Sequence, residues 1–294
     1  HLSHIFSYRN YPTFHLIGAL FNITISVYCL CYYANYINLT EGCFVWISSS
    51  NLIIKLKSRK MRGRCGQVML EGWRLVAEGL QAGCELQMLL FSRISDLERV
   101  QPFMPRAGPR ICKMPYKEMQ MWSNLETSPG IVAMSPVPSQ KLTSNEVLPI
   151  NVICDNIREP GNLGSILRTA LGVGCQSVML TIGCADIWDS KVLRSAAGAH
   201  FRLPIETDVA WSQIEQKIGS NSSVFIADNN SNENLMDKFT LSSTTVVIGG
   251  ETMGISESCY SGGSMLNLLV TNLFSELVLH IVKLSPLEYD RKIY

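Results

Sequence analysis

Apolar positions along this chain fall into short continuous runs and longer helical stripes, and the two alternate. Gln67-Val-Met-Leu-Glu71 reads as a strand, and Gly72 to Ala82 then sets Leu75, Val76, Gly79 and Leu80 on one helical stripe that Gly83 stops. Gln87 to Phe91 is the next strand. The second half repeats the pattern more plainly. Leu148 to Cys154 is a buried-strand run ending in Asp155, and Asn162 to Leu171 reads as a helix closed by Gly172 and Gly174. Ser177 to Thr181 is a strand, Lys191 to Ala197 a helix with Ser190 as its cap, and His200 to Ile205 a short strand. Trp211 to Ile218 is helical; Ser223 to Ala227 and Thr244 to Ile248 are strands, the latter running into Gly249-Gly250-Glu251. Strands alternating with helices predict an α/β fold with a mostly parallel sheet covered on both faces. Ligands of such sheets sit beyond the carboxyl ends of the strands. The loops at Asp155, Ala227 and Gly249 are therefore the places to look.

The runs divide the chain of 294 residues into regions. Residues 1–50 are apolar and share neither charge density nor periodicity with the rest. Residues 51–139 form a small α/β unit, 140–146 are a linker at the end of the linker-like segment Pro136 to Asn145, with its prolines and small polar residues, and 147–294 form the larger α/β domain. Within the first region, Leu16 to Tyr33 carries no charge, a length at the lower edge of the roughly 20 residues that a membrane span needs. A non-native leader is preferred there over a membrane anchor, and no Arg-rich amphipathic targeting segment is visible.

Composition adds two points. The formal net charge is only +1, yet residues 51–64 hold six cations (Lys55, Lys57, Arg59, Lys60, Arg62 and Arg64) and no carboxylate. Such a run is either a solvated face or a phosphate-contacting patch, with Lys57, Arg59, Lys60 and Arg62 as candidates for RNA contact. Ten cysteines include no C-x-x-C pair. Cys154, Cys175 and Cys184 sit in or beside apolar runs as small buried hydrophobes do, and no metal site is expected.

The densest chemistry lies in Asp155-Asn-Ile-Arg-Glu-Pro-Gly-Asn-Leu-Gly-Ser-Ile-Leu-Arg168. Pro160 and Gly161 force a turn after the strand, Asn162 can cap a helix, and Gly164 admits a close backbone approach. Arg168 follows Asn162 by under two helical turns, and its planar fork suits a phosphate or a developing oxyanion. No Gly-Lys-Ser/Thr follows, which excludes a Walker phosphate loop, and Gly172-Val-Gly174 lacks the third glycine of a dinucleotide fingerprint.

Asn162-Leu-Gly-Ser-Ile-Leu-Arg168 resembles the first motif of the SpoU (TrmH-type) RNA 2′-O-ribose methyltransferases, and Val246-Val-Ile-Gly249-Gly-Glu251-Thr-Met-Gly254 resembles their second. Lys191-Val-Leu-Arg-Ser-Ala-Ala-Gly-Ala-His200 is similar to the helix between them. Ser58 to Arg62, Leu70 to Leu75 and Ser128 to Val132 resemble the family's N-terminal substrate-binding domain, and the mitochondrial large-subunit rRNA methyltransferases look nearest. The resemblance implies a trefoil-knotted, mostly parallel sheet of SPOUT type behind a small α/β substrate-binding domain. It also implies S-adenosylmethionine as methyl donor, rRNA as substrate (a guanosine in the large subunit), a homodimer and a mitochondrial location. Catalytic roles fall on Asn162, Arg168 and Glu251, and cofactor contacts on Gly249, Leu268 and Leu277. The chain departs from the family at the third motif: no Ser-Leu-Asn follows Met265-Leu-Asn-Leu-Leu-Val270, with Glu276 and Val278 flanking Leu277 instead. A catalytically degenerate RNA-binding relative, acting in ribosome assembly, is the alternative that this departure leaves open.

Overall fold

The computed structural model describes residues 53–123, 127–138, 147–218, 223–227, 243–250, 254–260 and 268–270. Leu16 to Tyr33, Glu251 and Leu277 lie outside the described residues, as do the segments whose threading would make a knot. Among the described residues, no helix is long and apolar enough to cross a membrane.

The smaller domain runs α1 (Arg59–Cys65), β1 (Gln67–Glu71), α2 (Trp73–Gln81), β2 (Met88–Phe91), α3 (Ile94–Val100), β3 (Arg110–Lys113), α4 (Tyr116–Trp122) and β4 (Ile131–Pro136). Its sheet has the order β1-β4-β2-β3. β4 is antiparallel to β1 and β2, and β3 is parallel to β2, so the carboxyl ends of β1, β2 and β3 share one end of the sheet. The helical stripe predicted after Gly72 is α2, whose buried face is Leu75, Val76, Ala77, Gly79 and Leu80. Ile53, Leu56, Met69, Leu90, Met119 and Trp122 pack beneath the sheet.

The larger domain runs β5 (Leu148–Asp155), α5 (Pro160–Val173), β6 (Cys175–Thr181), α6 (Ser190–Ala196), β7 (Ile205–Val209), α7 (Trp211–Ile218), β8 (Ser223–Ala227), β9 (Thr244–Gly249), α8 (Glu257–Tyr260) and β10 (Leu268–Val270). Its six strands pair in the order β10-β8-β9-β5-β6-β7, every pair parallel. Successive residues point to opposite faces, which explains why the strands read as unbroken apolar runs. Val152 and Cys154 with Val178 and Leu180 join the core under α5 and α6, where Leu163, Leu167 and Val192 are buried. Ile153, Met179, Val224, Ile226 and Val247 face the other side, against Ile214 of α7 and Cys259 of α8. Each such side chain contributes about 1.5–3 kcal/mol by leaving water.

Three local expectations are corrected. No strand spans His200 to Ile205: Gly198 turns the chain at φ 89°, residues Ala199–Phe201 form a 3-10 turn, and β7 begins only at Ile205. Pro204 precedes it, because a residue without an N–H cannot enter the ladder as donor. The carboxylate of Asp189, not Ser190, caps α6 by accepting from the Lys191 N–H at 2.9 Å. Asn162 is not a helix cap either, since α5 already starts at Pro160 with Glu159 at the cap position.

Candidate active site at the strand ends

The register sets the carboxyl ends of the central strands level: Asp155 lies beside Gly249 across β5 and β9, and Ala227 beside Ile248 and Val270 across β8. Asp155 is 2% exposed and ties three of the loops together. Its Oδ1 accepts from Thr181 Oγ1 at 2.9 Å, and its Oδ2 accepts from the Ser256 N–H at 2.7 Å. The Thr181 hydroxyl in turn accepts from the Asn156 N–H at 3.0 Å. A buried carboxylate is tolerated only when it is hydrogen-bonded like this. The sequence points to this residue as a strand end but carries no signal for its knotting of β5, β6 and the segment after β9.

Glycines make the crossing possible. A Cβ on Gly249 would stand 2.5 Å from the Gly254 carbonyl carbon, and one on Gly250 would stand 2.7 Å from the Asn156 oxygen. Gly250 and Gly254 close an antiparallel bridge through two hydrogen bonds of 3.2 and 2.8 Å. The chain's own return at Gly254 thus packs directly against Gly249 and Gly250. Gly183 and the strained Asn156, at φ 101° and 55°, complete the loop pair, and Arg158 Nε donates to Asn156 Oδ1 at 3.0 Å.

Both members of the first motif ride on α5. Asn162 is half-buried in its first turn and Arg168 is exposed. Six helical residues separate them by about 9 Å along the axis and about 120° around it. They flank an open face rather than share a stripe. Gly164 serves the expected close approach, and the backbone that approaches is α6: a Cβ there would meet Ser195 Cβ at 2.5 Å and the Val192 carbonyl oxygen at 2.7 Å. Ser195 Oγ also donates to the Gly161 carbonyl at 2.9 Å, so α6 locks the first turn of α5. Leu268 lies in β10 beside Phe225, at the edge of the same sheet.

Cys154, Cys175 and Cys184 are buried free thiols. Burial pushes the Cys175 thiol up to about 12 and raises Cys154 and Cys184 as well, which makes them packing groups.

The candidate RNA-contact cations behave differently from one another. Arg62 is 7% exposed, which takes it off the surface. Its Nη1 donates to the Leu56 and Lys57 carbonyls at 2.8 and 2.9 Å, and its Nη2 pairs with the carboxylate of Asp186 in the larger domain. Arg59, one turn earlier and half-exposed, reaches Asp208 at 2.7 Å. Lys57 Nζ donates to the Ser123 carbonyl at 3.3 Å, while Lys60 is exposed. These two arginines and their aspartates, with Leu180, Cys184 and Trp188, line a cleft of about 260 Å³ along the seam between the domains.

Comparison with known proteins bears on both domains. Residues 149–262 match the SpoU rRNA Methylase family, and residues 51–133 match the MRM3-like substrate binding domain. The chain is 43% identical over 186 residues to rRNA methyltransferase 3, mitochondrial, of Xenopus laevis, covering 61% of this chain and 44% of that protein. It is 32% identical over 152 residues to the 23S rRNA (guanosine(2553)-2'-O)-methyltransferase RlmP of Bacillus subtilis, covering 51% and 58%. The chain thus spans less than half the length of the mitochondrial relatives that it matches. In fold it is similar to the SpoU methyltransferase AviRb of Streptomyces viridochromogenes, solved with AdoMet, at a TM-score of 0.68 and 20% identity over 80% of this chain and 97% of the other. An rRNA methyltransferase of Sinorhizobium meliloti gives 0.65 at 19% identity over 80% and 92%.

Proposed function

Residues 149–262 are a SpoU-type methylase domain and residues 51–133 an MRM3-like substrate-binding domain, and on that premise we propose that the chain methylates a ribose 2′-hydroxyl of rRNA. The observation that supports it most is that the first-motif helix follows directly on β5, whose end at Asp155 lies level with the second motif's Gly249 at the end of β9. S-adenosylmethionine would supply an electrophilic methyl on sulfonium. The donor set fits: main-chain groups at the ends of β9 and β10, around Gly249 and after Leu268, face one end of the sheet, where nucleoside ligands of parallel sheets sit.

The work left to the chain is at the ribose. A 2′-hydroxyl is a poor nucleophile until its proton leaves or its growing negative charge is stabilised. A guanidinium keeps its proton at any working pH, so Arg168 acts by holding phosphate and stabilising the oxyanion, not as a base. Asn162, fixed in the first turn by the packing of α6 on Gly164, orients the ribose, and the second motif assigns Glu251 the role of orienting Asn162 or the RNA. The relatives' names favour a guanosine of large-subunit rRNA and a mitochondrial setting. A homodimer belongs to the same reading, as the resemblance to the family implies, with Arg168 on the exposed face of α5.

The test is methyl transfer from labelled S-adenosylmethionine to a large-subunit rRNA fragment, with cofactor titration alongside. Arg168→Ala is expected to lower turnover by roughly 10²–10³-fold while cofactor affinity changes less than threefold. Full activity in that variant removes the role. Absence of cofactor binding in the unaltered chain removes the enzyme reading and favours the RNA-binding alternative raised by the altered third motif.

A further inference from the structure

We propose that the smaller domain grips RNA at the carboxyl end of its own sheet, through Arg74, Arg93 and Arg99 laid on the rings of Trp73 and Tyr116, and not through the cation run of α1. The topology gathers these residues. The Gly72 N–H donates to the Ile131 carbonyl at 3.0 Å, Ser92 to Gly130 at 2.8 Å, and Met114 to Phe91 at 2.8 Å. The first residues beyond β1, β2 and β3 therefore leave the sheet at one end, and they include Trp73, Arg93 and Tyr116.

There the arginines meet rings. The Arg99 and Arg74 guanidinium carbons lie 5.0 and 5.3 Å from the Trp73 ring centre, and that of Arg93 lies 5.3 Å from the Tyr116 ring centre. All three arginines are exposed, and among the described residues none makes an ion pair. A guanidinium resting on an aromatic face has fewer rotamers to lose on binding and keeps N–H edges for phosphate. Its plane also accepts the face of an unstacked base, which is how unpaired RNA is held. Arg59 and Arg62 of α1 have neither property, because carboxylates of the larger domain already hold them.

The position suits delivery. Five residues after Trp73, on the same helix, Glu78 binds Arg202 of the larger domain at 2.7 Å. The ring-and-arginine face thus stands about 8 Å along α2 from the seam, near enough for one RNA strand to touch both domains.

The inference rests on the RNA reading above, and the experiment separates the two. The full chain is titrated with a labelled RNA hairpin bearing an unpaired loop, across a salt series. Methyl transfer and S-adenosylmethionine binding are measured in parallel. The R74A/R93A/R99A variant is expected to bind the hairpin roughly 30-fold more weakly, with the salt slope reduced by about 2. KM for RNA rises while kcat at saturating RNA and cofactor affinity stay within twofold. K60A/R64A, which removes exposed α1 cations, is expected to change affinity less than threefold. Wild-type affinity in the triple variant, or a larger loss in K60A/R64A, overturns the proposal while leaving the methyltransferase reading intact. Should the triple alanine variant fail to fold, R74K/R93K/R99K decides. That variant keeps charge but loses the flat stack, so unchanged hairpin affinity there overturns the proposal too. An unaltered chain that neither binds nor methylates RNA defeats the function reading and this one with it.

Discussion

Helix α1 and the far end of the small sheet carry the same kind of side chain and use it in opposite ways. On α1, Arg62 is buried at the domain seam with Asp186, and Arg59 is tied to Asp208 one turn away. At the strand ends, Arg74, Arg93 and Arg99 lie on aromatic rings with their charge open to solvent. The denser cation run is thus in part a domain fastener, whereas three scattered arginines make a binding face. Charge density along a sequence measures neither; what faces each cation decides its use.

The largest blow to that contrast falls on the buried pair. Asp186→Ala leaves the Arg62 guanidinium buried without its carboxylate and is expected to cost about 3–5 kcal/mol in urea unfolding. A loss below 1 kcal/mol would mean that Arg62 is not a fastener. Beside the Asp186 loop, in the turn after α6, lies a second, acid-sensitive point. His200 is fully buried, its ring 5.3 Å from that of Trp188, and neither ring nitrogen has a hydrogen-bond partner of normal geometry. Burial drives its pKa down from 6.5 to about 4, against a weaker upward pull from the Ile187 backbone and the Asp186 charge. The folded state then holds this ring neutral while the unfolded chain takes up a proton. Stability is accordingly full above about pH 6.5 and falls with acid until about pH 4, by roughly 3 kcal/mol in all. Unfolding measured at pH 7 and pH 4.5 should differ less in His200→Leu; an unchanged difference would place the acid sensitivity elsewhere. The mildest effect belongs to Asp208→Ala. Both partners of that pair are about half exposed, so its loss is expected to stay under about 1 kcal/mol and to shrink further in salt. A cost as large as that of Asp186→Ala would erase the distinction between the two ends of α1.

Continuous apolar runs determined β1, β2, β5, β6, β8 and β9, and the stripe of Leu75, Val76 and Leu80 determined α2, since burial acts residue by residue and leaves a local period; β3, β4 and β10 were not legible this way. The strand-turn-helix from Asp155 to Arg168 was legible for the same reason, with its proline and glycines. Tertiary structure alone decided what each polar group meets. Arg62 finds Asp186 across 124 positions of chain, and Asp155 finds the Ser256 N–H across 101. Gly164 announced a close approach, yet only the packing of α6 named Ser195 and Val192 as what approaches. Hydrogen bonds and ion pairs are set by distances of a few ångströms between segments far apart in sequence, and no local period records them.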